Sequence, residues 1–143
     1  MGSIGKVTPN TTGLPEKTTL KNKDIYKGYA WELAAASEGS KVYQIKYNGG
    51  QAFADAYVNN DGDVHIDFIG STGKGAGSEL MARLADKAID EGRGMSWVAD
   101  EPSAQQFYSH LGLKPKSKYE GTWYYELQWG QLYKLRAKLR KTY

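Results

Sequence analysis

The chain has 143 residues, enough for one hydrophobic core and too few for two comfortable ones. Its 40% apolar and 24% charged residues describe a globular domain, and a net charge of +3 is too mild to argue for nucleic acid by itself. Cysteine is absent and the two histidines, His65 and His110, lie far apart, which excludes disulfides, thiolate zinc sites, cysteine nucleophiles and a histidine metal cluster.

Residues 1–17 are rich in Gly, Thr and Pro and read as a mobile tail without a signal-peptide core. No apolar run is long enough to span a bilayer, so no membrane is expected and a cytoplasmic location fits. From Asp24, the spacing of Ile25, Tyr29, Leu33 and Ala36 predicts a helix ending near Gly39. The period then changes to two. Tyr43, Ile45 and Tyr47 alternate along a strand, Asn48, Gly49 and Gly50 make a turn, and 51–58 return as its hairpin partner. A second turn at 59–62 leads to a third strand over 64–69.

After a glycine loop comes the central amphipathic helix. Leu80, Met81, Leu84, Ala85, Ala88 and Ile89 form its apolar face, while Glu79, Arg83, Asp86, Lys87 and Asp90 are expected largely outside it. Gly92, Arg93 and Gly94 end this helix, and 95–99 read as a short buried strand. Pro102 opens a second short helix running to Leu111. Strands are predicted over 114–119 and 122–129, and 131–143 read as a basic helix with Leu132, Leu135 and Leu139 on one side. A strand–loop–helix–strand order implies a crossover between parallel strands, flanked by antiparallel ones. The predicted fold is therefore mixed α/β in a single domain, with a largely antiparallel sheet and a parallel central pair. Its segments are a tail over 1–17, the domain proper over 18–129, and the basic C-terminal helix over 130–143.

Glycines at 73, 75 and 77 sit between a strand and a helix. A backbone without side chains approaches a ligand closely, and a first helical turn offers unpaired N–H groups at the positive end of the dipole, so the loop suits a pyrophosphate. Lys74 adds a charge there or points to solvent. A P-loop would close its glycine run with Lys-Ser or Lys-Thr, but Gly75 follows Lys74. A dinucleotide fingerprint starting at Gly75 would want glycine where Leu80 stands, although Asp100 is near the right distance for its acidic residue. Glycines also serve ordinary turns, so a ligand-free loop is the plainer alternative.

The run Thr72-Gly73-Lys74-Gly75-Ala76-Gly77-Ser78-Glu79-Leu80-Met81 resembles the acetyl-coenzyme-A motif of the GNAT superfamily of N-acetyltransferases. That motif is Arg or Gln, two residues, Gly, one residue, then Gly or Ala; Gly75 and Gly77 match, and Thr72 stands where Arg or Gln is usual. Downstream, Glu101-Pro102-Ser103-Ala104-Gln105-Gln106-Phe107-Tyr108-Ser109-His110-Leu111-Gly112-Leu113 is similar to the family's Asn-x-x-Ala-x-x-Phe-Tyr-x-x-Leu-Gly-Phe segment, with Glu101 at the Asn position and Leu113 for Phe. The likeness covers roughly residues 40–129.

The resemblance implies a GNAT-like fold and transfer of acetyl from acetyl-CoA to a primary amine by direct attack in a ternary complex. It implies cofactor contacts from Thr72, Gly73, Lys74, Gly75, Ala76 and Gly77, with main-chain pairing by Phe68 and Ile69. It also implies Tyr108 as the general acid that protonates the departing thiolate; the plainer reading is a helix tyrosine packed beside Phe107. Positioning supplies much of such a rate, and a strand N–H stabilises the oxyanion formed on attack.

The general base is left open. Asp67 and His65 are expected on one face of their strand, opposite Val64, Ile66 and Phe68. Asp100 and Glu101 end the next strand, where the crevice of an open sheet should be, or else cap the following helix. Asp67 is placed ahead of Glu101, and His65 is read as structural. Lys134, Arg136, Lys138, Arg140 and Lys141 make the last helix a solvated basic face in the plainest reading. The sharper alternatives are RNA docking, as in toxin-like relatives acting on charged tRNA, and a homodimer contact through its leucines. A non-catalytic binding or structural protein on the same fold is the alternative to an enzyme.

Overall fold

A computed structural model describes residues 41–141; the expected tail and the helix expected over 24–39 lie outside the described residues. The order is β1 (Lys41–Tyr47), β2 (Gly50–Val58), β3 (Val64–Thr72), α1 (Ala76–Asp90), β4 (Met95–Ala99), α2 (Pro102–His110), β5 (Ser117–Tyr119), β6 (Thr122–Leu127) and α3 (Leu132–Lys141), with a 3-10 turn at Trp129–Gln131. Local chemistry sets the joints. Asn48 and Gly49 take φ of 50° and 78°, a two-residue primed turn that matches the strand twist of the β1–β2 hairpin. The Asn59 side-chain oxygen accepts from the backbone N–H of Asp61 (3.0 Å) and Asp63 (2.9 Å), an Asx turn that sends the chain back into β3. Pro115 lacks an N–H to donate, and β5 spans three residues where a six-residue strand is expected.

The six strands form one mixed sheet in the order β1-β2-β3-β4-β6-β5. All neighbours are antiparallel except the central β3–β4 pair, which α1 connects. The mixed α/β class and the parallel central pair are as expected.

A bulge interrupts the β2–β3 ladder. Ala56 pairs with Ile66 and Asp55 with Phe68, so Asp67 is the extra residue. An inserted residue reverses the alternation beyond it. Val64 and Ile66 therefore share the helix-covered face with Ile69 and Ser71, while Phe68 turns to the opposite face and stacks on Phe53, with ring centres 6.2 Å apart. The expectation that Phe68 sides with Val64 and Ile66 is corrected by this bulge.

The core lies between the sheet and α1, with Ala52, Ala54, Ile66, Leu80, Leu84 and Trp97 all essentially inaccessible. Helix α3 packs antiparallel on α1: Trp129 Nε1 donates to the Ile89 carbonyl at one end (3.0 Å), and Arg140 reaches Glu79 at the other (3.3 Å). Leu132, Leu135 and Leu139 are at most 1% exposed and belong to the same core. This corrects the reading of Glu79 and Arg83 as outward residues. Both are buried under α3 and pair at 2.7 Å.

Candidate functional site

Strand β3 pairs with β4 only over Val64–Ile66, against Met95–Trp97, yet runs on to Thr72. Beyond the bulge at Asp67 it no longer pairs with β4. A cavity of about 350 Å³ opens beside this stretch. Ile69, Gly70 and Ser71 of β3 form one wall, and Gly73, Lys74 and Gly75 continue it into the loop. Gly77, Ser78 and Met81 of α1 and Phe107 and Tyr108 of α2 complete its lining.

The loop geometry depends on glycine in two ways. Gly75, the residue before α1, has φ of 88°, which L side chains adopt at a cost. At Gly73, a Cβ would lie 2.8 Å from the Gly50 Cα, so this turn is pressed against the start of β2. That second requirement is packing, with or without a ligand. The helix start itself is different: Gly75 at its cap has no side chain to bond the first turn, and Gly75, Gly77 and Ser78 line the cavity.

Tyr108 is 6% exposed, with its ring 5.4 Å from Trp97 and 5.0 Å from Tyr125. Burial pushes its phenol well above the usual tyrosine range, and the neighbouring Tyr125 adds to the shift. Tyr108 is thus a firmly protonated hydrogen-bond donor at the cavity wall. The same burial opposes loss of its proton, so the O–H is suited to donating a hydrogen bond to a developing negative charge, while full transfer of the proton would leave a disfavoured phenolate.

Other expected site residues are placed elsewhere. Thr72 does not line the cavity; its Oγ1 accepts from the Gln51 backbone N–H at 3.3 Å, extending the β2–β3 ladder. Ala76 is fully buried in the core, and Phe68 faces away. Asp67 is exposed at the bulge. Glu101 holds the cap position of α2 with an extended backbone, but its carboxylate makes no capping bond and stays exposed. Neither carboxylate lines the cavity.

His65 is on the face opposite α1. Its Nδ1 lies 2.8 Å from Ser96 Oγ and its ring 5.3 Å from that of Tyr57. Gly70, Ser71, Ser78, Met81 and Phe107 join the wall without having been expected there. Ser78 and Met81 were signalled by their place in the first turns of the helix, and Phe107 by its adjacency to Tyr108. Gly70 and Ser71 depend on β3 continuing past Ile69, which its polar residues concealed.

Comparison with protein-family models, curated proteins and solved structures gave no match. Among the described residues no helix is long and apolar enough to cross a membrane, and no group of His, Asp and Glu is arranged to hold a metal ion.

Proposed function

We propose that this protein is a GNAT-like N-acetyltransferase that takes acetyl from acetyl-CoA and delivers it to a primary amine by direct attack. The observation that carries the reading is one cavity lined both by the glycine-loop start of α1 and by the buried Tyr108. A phosphate-binding helix start by itself identifies no reaction; the phenol lining the same cavity is what points to group transfer.

The residues fit the cofactor's parts in order. Backbone N–H groups from Gly75 to Ser78, with Lys74, would hold the pyrophosphate. The β3 edge at Ile69 and Gly70, past the stretch that pairs with β4, would pair with an amide-bearing chain as an added strand does. When bound, acetyl-CoA supplies an activated acetyl thioester. Tyr108 would donate its O–H toward the leaving sulfur, and Phe107 and Met81 would keep water from that end of the cavity. The amine proton would pass to Asp67 or Glu101 through water, since both carboxylates are exposed and stand off the cavity wall.

Acetyl-CoA titration with thermal unfolding tests this. Selective binding to the native state should raise the midpoint, by an amount corresponding to about 2.7 kcal/mol at a hundredfold excess over Kd. Tyr108→Phe should keep that shift while thiol release across an amine panel falls about a hundredfold or more. No shift at saturating acetyl-CoA sinks the enzyme reading; a shift without turnover on any amine favours a non-catalytic binding protein.

A further inference from the structure

Two buried polar atoms beside Tyr108 have no hydrogen-bond partner among the described residues: Trp97 Nε1 and Tyr125 Oη. Both side chains are 1% exposed, and they come from directly paired positions of β4 and β6. Their rings stack at 9° with centres 5.4 Å apart. Each also meets the Tyr108 ring, Trp97 at 5.4 Å and Tyr125 at 5.0 Å. Of the three, Tyr108 is the one that lines the cavity. The core thus sets two unpaired donors against the phenol of the candidate site.

Packing does not account for the Tyr125 hydroxyl. A buried O–H without an acceptor costs free energy, and phenylalanine at 125 would keep the ring contacts without that cost. A hydroxyl kept there has a use when an acceptor forms beside it. Tyr108 can become that acceptor. When its hydrogen shifts to a leaving sulfur, the electron pair left on its oxygen needs a fixed donor, because little water reaches a buried ring. The two phenols are close enough to sense each other: negative charge on Tyr125 would hold the Tyr108 proton more tightly. No bond joins them at rest, so the contact is kept for the transition state.

We infer that Tyr125 is a positioning residue for the acyl transfer, its O–H donating to the Tyr108 oxygen as Tyr108 hands its proton to the departing sulfur. The C–S bond of the thioester breaks with its electron pair on sulfur, the Tyr108 proton moves to that sulfur, and Tyr125 keeps its own. Tyr108 regains a proton from water after the thiol leaves. A hydrogen bond made only at that moment lowers the barrier without tightening substrate binding. Resting on the acetyltransferase reading above, this role explains how a buried phenol can release its proton.

Steady-state thiol release from acetyl-CoA, with the most active primary amine of the panel, tests this in the unaltered chain, Tyr108→Phe, Tyr125→Phe and the double variant. Tyr125→Phe should lower kcat about tenfold, leave KM for acetyl-CoA unchanged, and melt at or above the unaltered midpoint. In the Tyr108→Phe background the same change should cost nothing further, because its effect passes through Tyr108. An unchanged kcat in Tyr125→Phe overturns the inference. A further tenfold loss on top of Tyr108→Phe also overturns it, since the hydroxyl then acts independently of Tyr108. So does a Tyr125→Phe protein that unfolds or melts lower, which makes the hydroxyl a part of the core. If Tyr108→Phe keeps the full rate, both phenols leave the mechanism while the acetyl-CoA reading stands. Absence of acetyl-CoA binding, or of thiol release by the unaltered chain, overturns the enzyme reading and this role together.

Discussion

His65 shows how one side chain reports its surroundings through pH. Burial pushes its imidazole below the ordinary value of 6.5, while the negative charges of Asp67 and Asp63 pull the other way without winning. The unfolded chain therefore binds the proton more readily than the folded one in the window just below 6.5. Stability from this residue is complete above that window and is lost as pH falls through it. In thermal unfolding, the midpoint difference between unaltered protein and His65→Gln should be larger at about pH 7.5 than at about pH 5. A difference that grew on acidification would mean that the charged imidazole is the favoured form. His65 was legible as structural, and its bond to Ser96 agrees with that role. The bulge at Asp67 was not legible. Nothing in the run Val64 to Phe68 announces an extra residue, because the reversal of faces exists only relative to β2. Tyr108 was legible through its sequence neighbours, yet its contacts with Trp97 and Tyr125 come from strands that periodicity cannot pair.

At the scale of elements, the seam between α1 and α3 holds the loop-bearing helix in place. Glu79 and Arg83 pair at 2.7 Å with side chains 11% and 5% exposed, and Arg140 closes over Glu79 while Arg136 and Arg140 also reach Asp86. Removing one member of such a buried pair leaves the other charge desolvated. Arg83→Ala should cost about 3 kcal/mol in denaturant unfolding. The neighbouring pair Lys87–Glu91 is shorter at 2.6 Å but lies nearer solvent, and Lys87→Ala should cost below about 0.5 kcal/mol. Equal losses from the two variants would mean that α3 does not shield Glu79 and Arg83 in solution. Each helix was legible from its own period, whereas their packing was not. A solitary amphipathic helix presents Glu79 and Arg83 to water, and only a second helix laid over them makes burial with pairing the better state. The leucines at 132, 135 and 139 were the available signal, since an apolar stripe needs a partner face.

For the whole molecule, the seam decides what the basic C-terminal helix is. Its positive residues divide: Arg136 and Arg140 are committed to Asp86 and Glu79, Lys138 to the end of α2, and Lys134 and Lys141 are exposed. Its leucine stripe is spent inside the chain, so the leucines are not free to join two copies. Deleting residues 131–143 would then remove part of the core. Three buried leucines contribute roughly 6 kcal/mol by transfer alone, and their loss would also uncover the charged pair beneath them. A domain of this size is typically stable by about 5–15 kcal/mol, so the deletion consumes most or all of the margin. The shortened chain should show no cooperative thermal transition near that of the full protein, and should lose its near-ultraviolet dichroism. A sharp transition within about 5 °C of the full chain's would show α3 to be an appendage on an independent core. The same reasoning governs any assay for RNA. Loss of RNA binding on deletion would follow from unfolding alone, so the informative variant is charge reversal at exposed Lys134, which leaves the leucine stripe intact and tests the charge by its salt dependence.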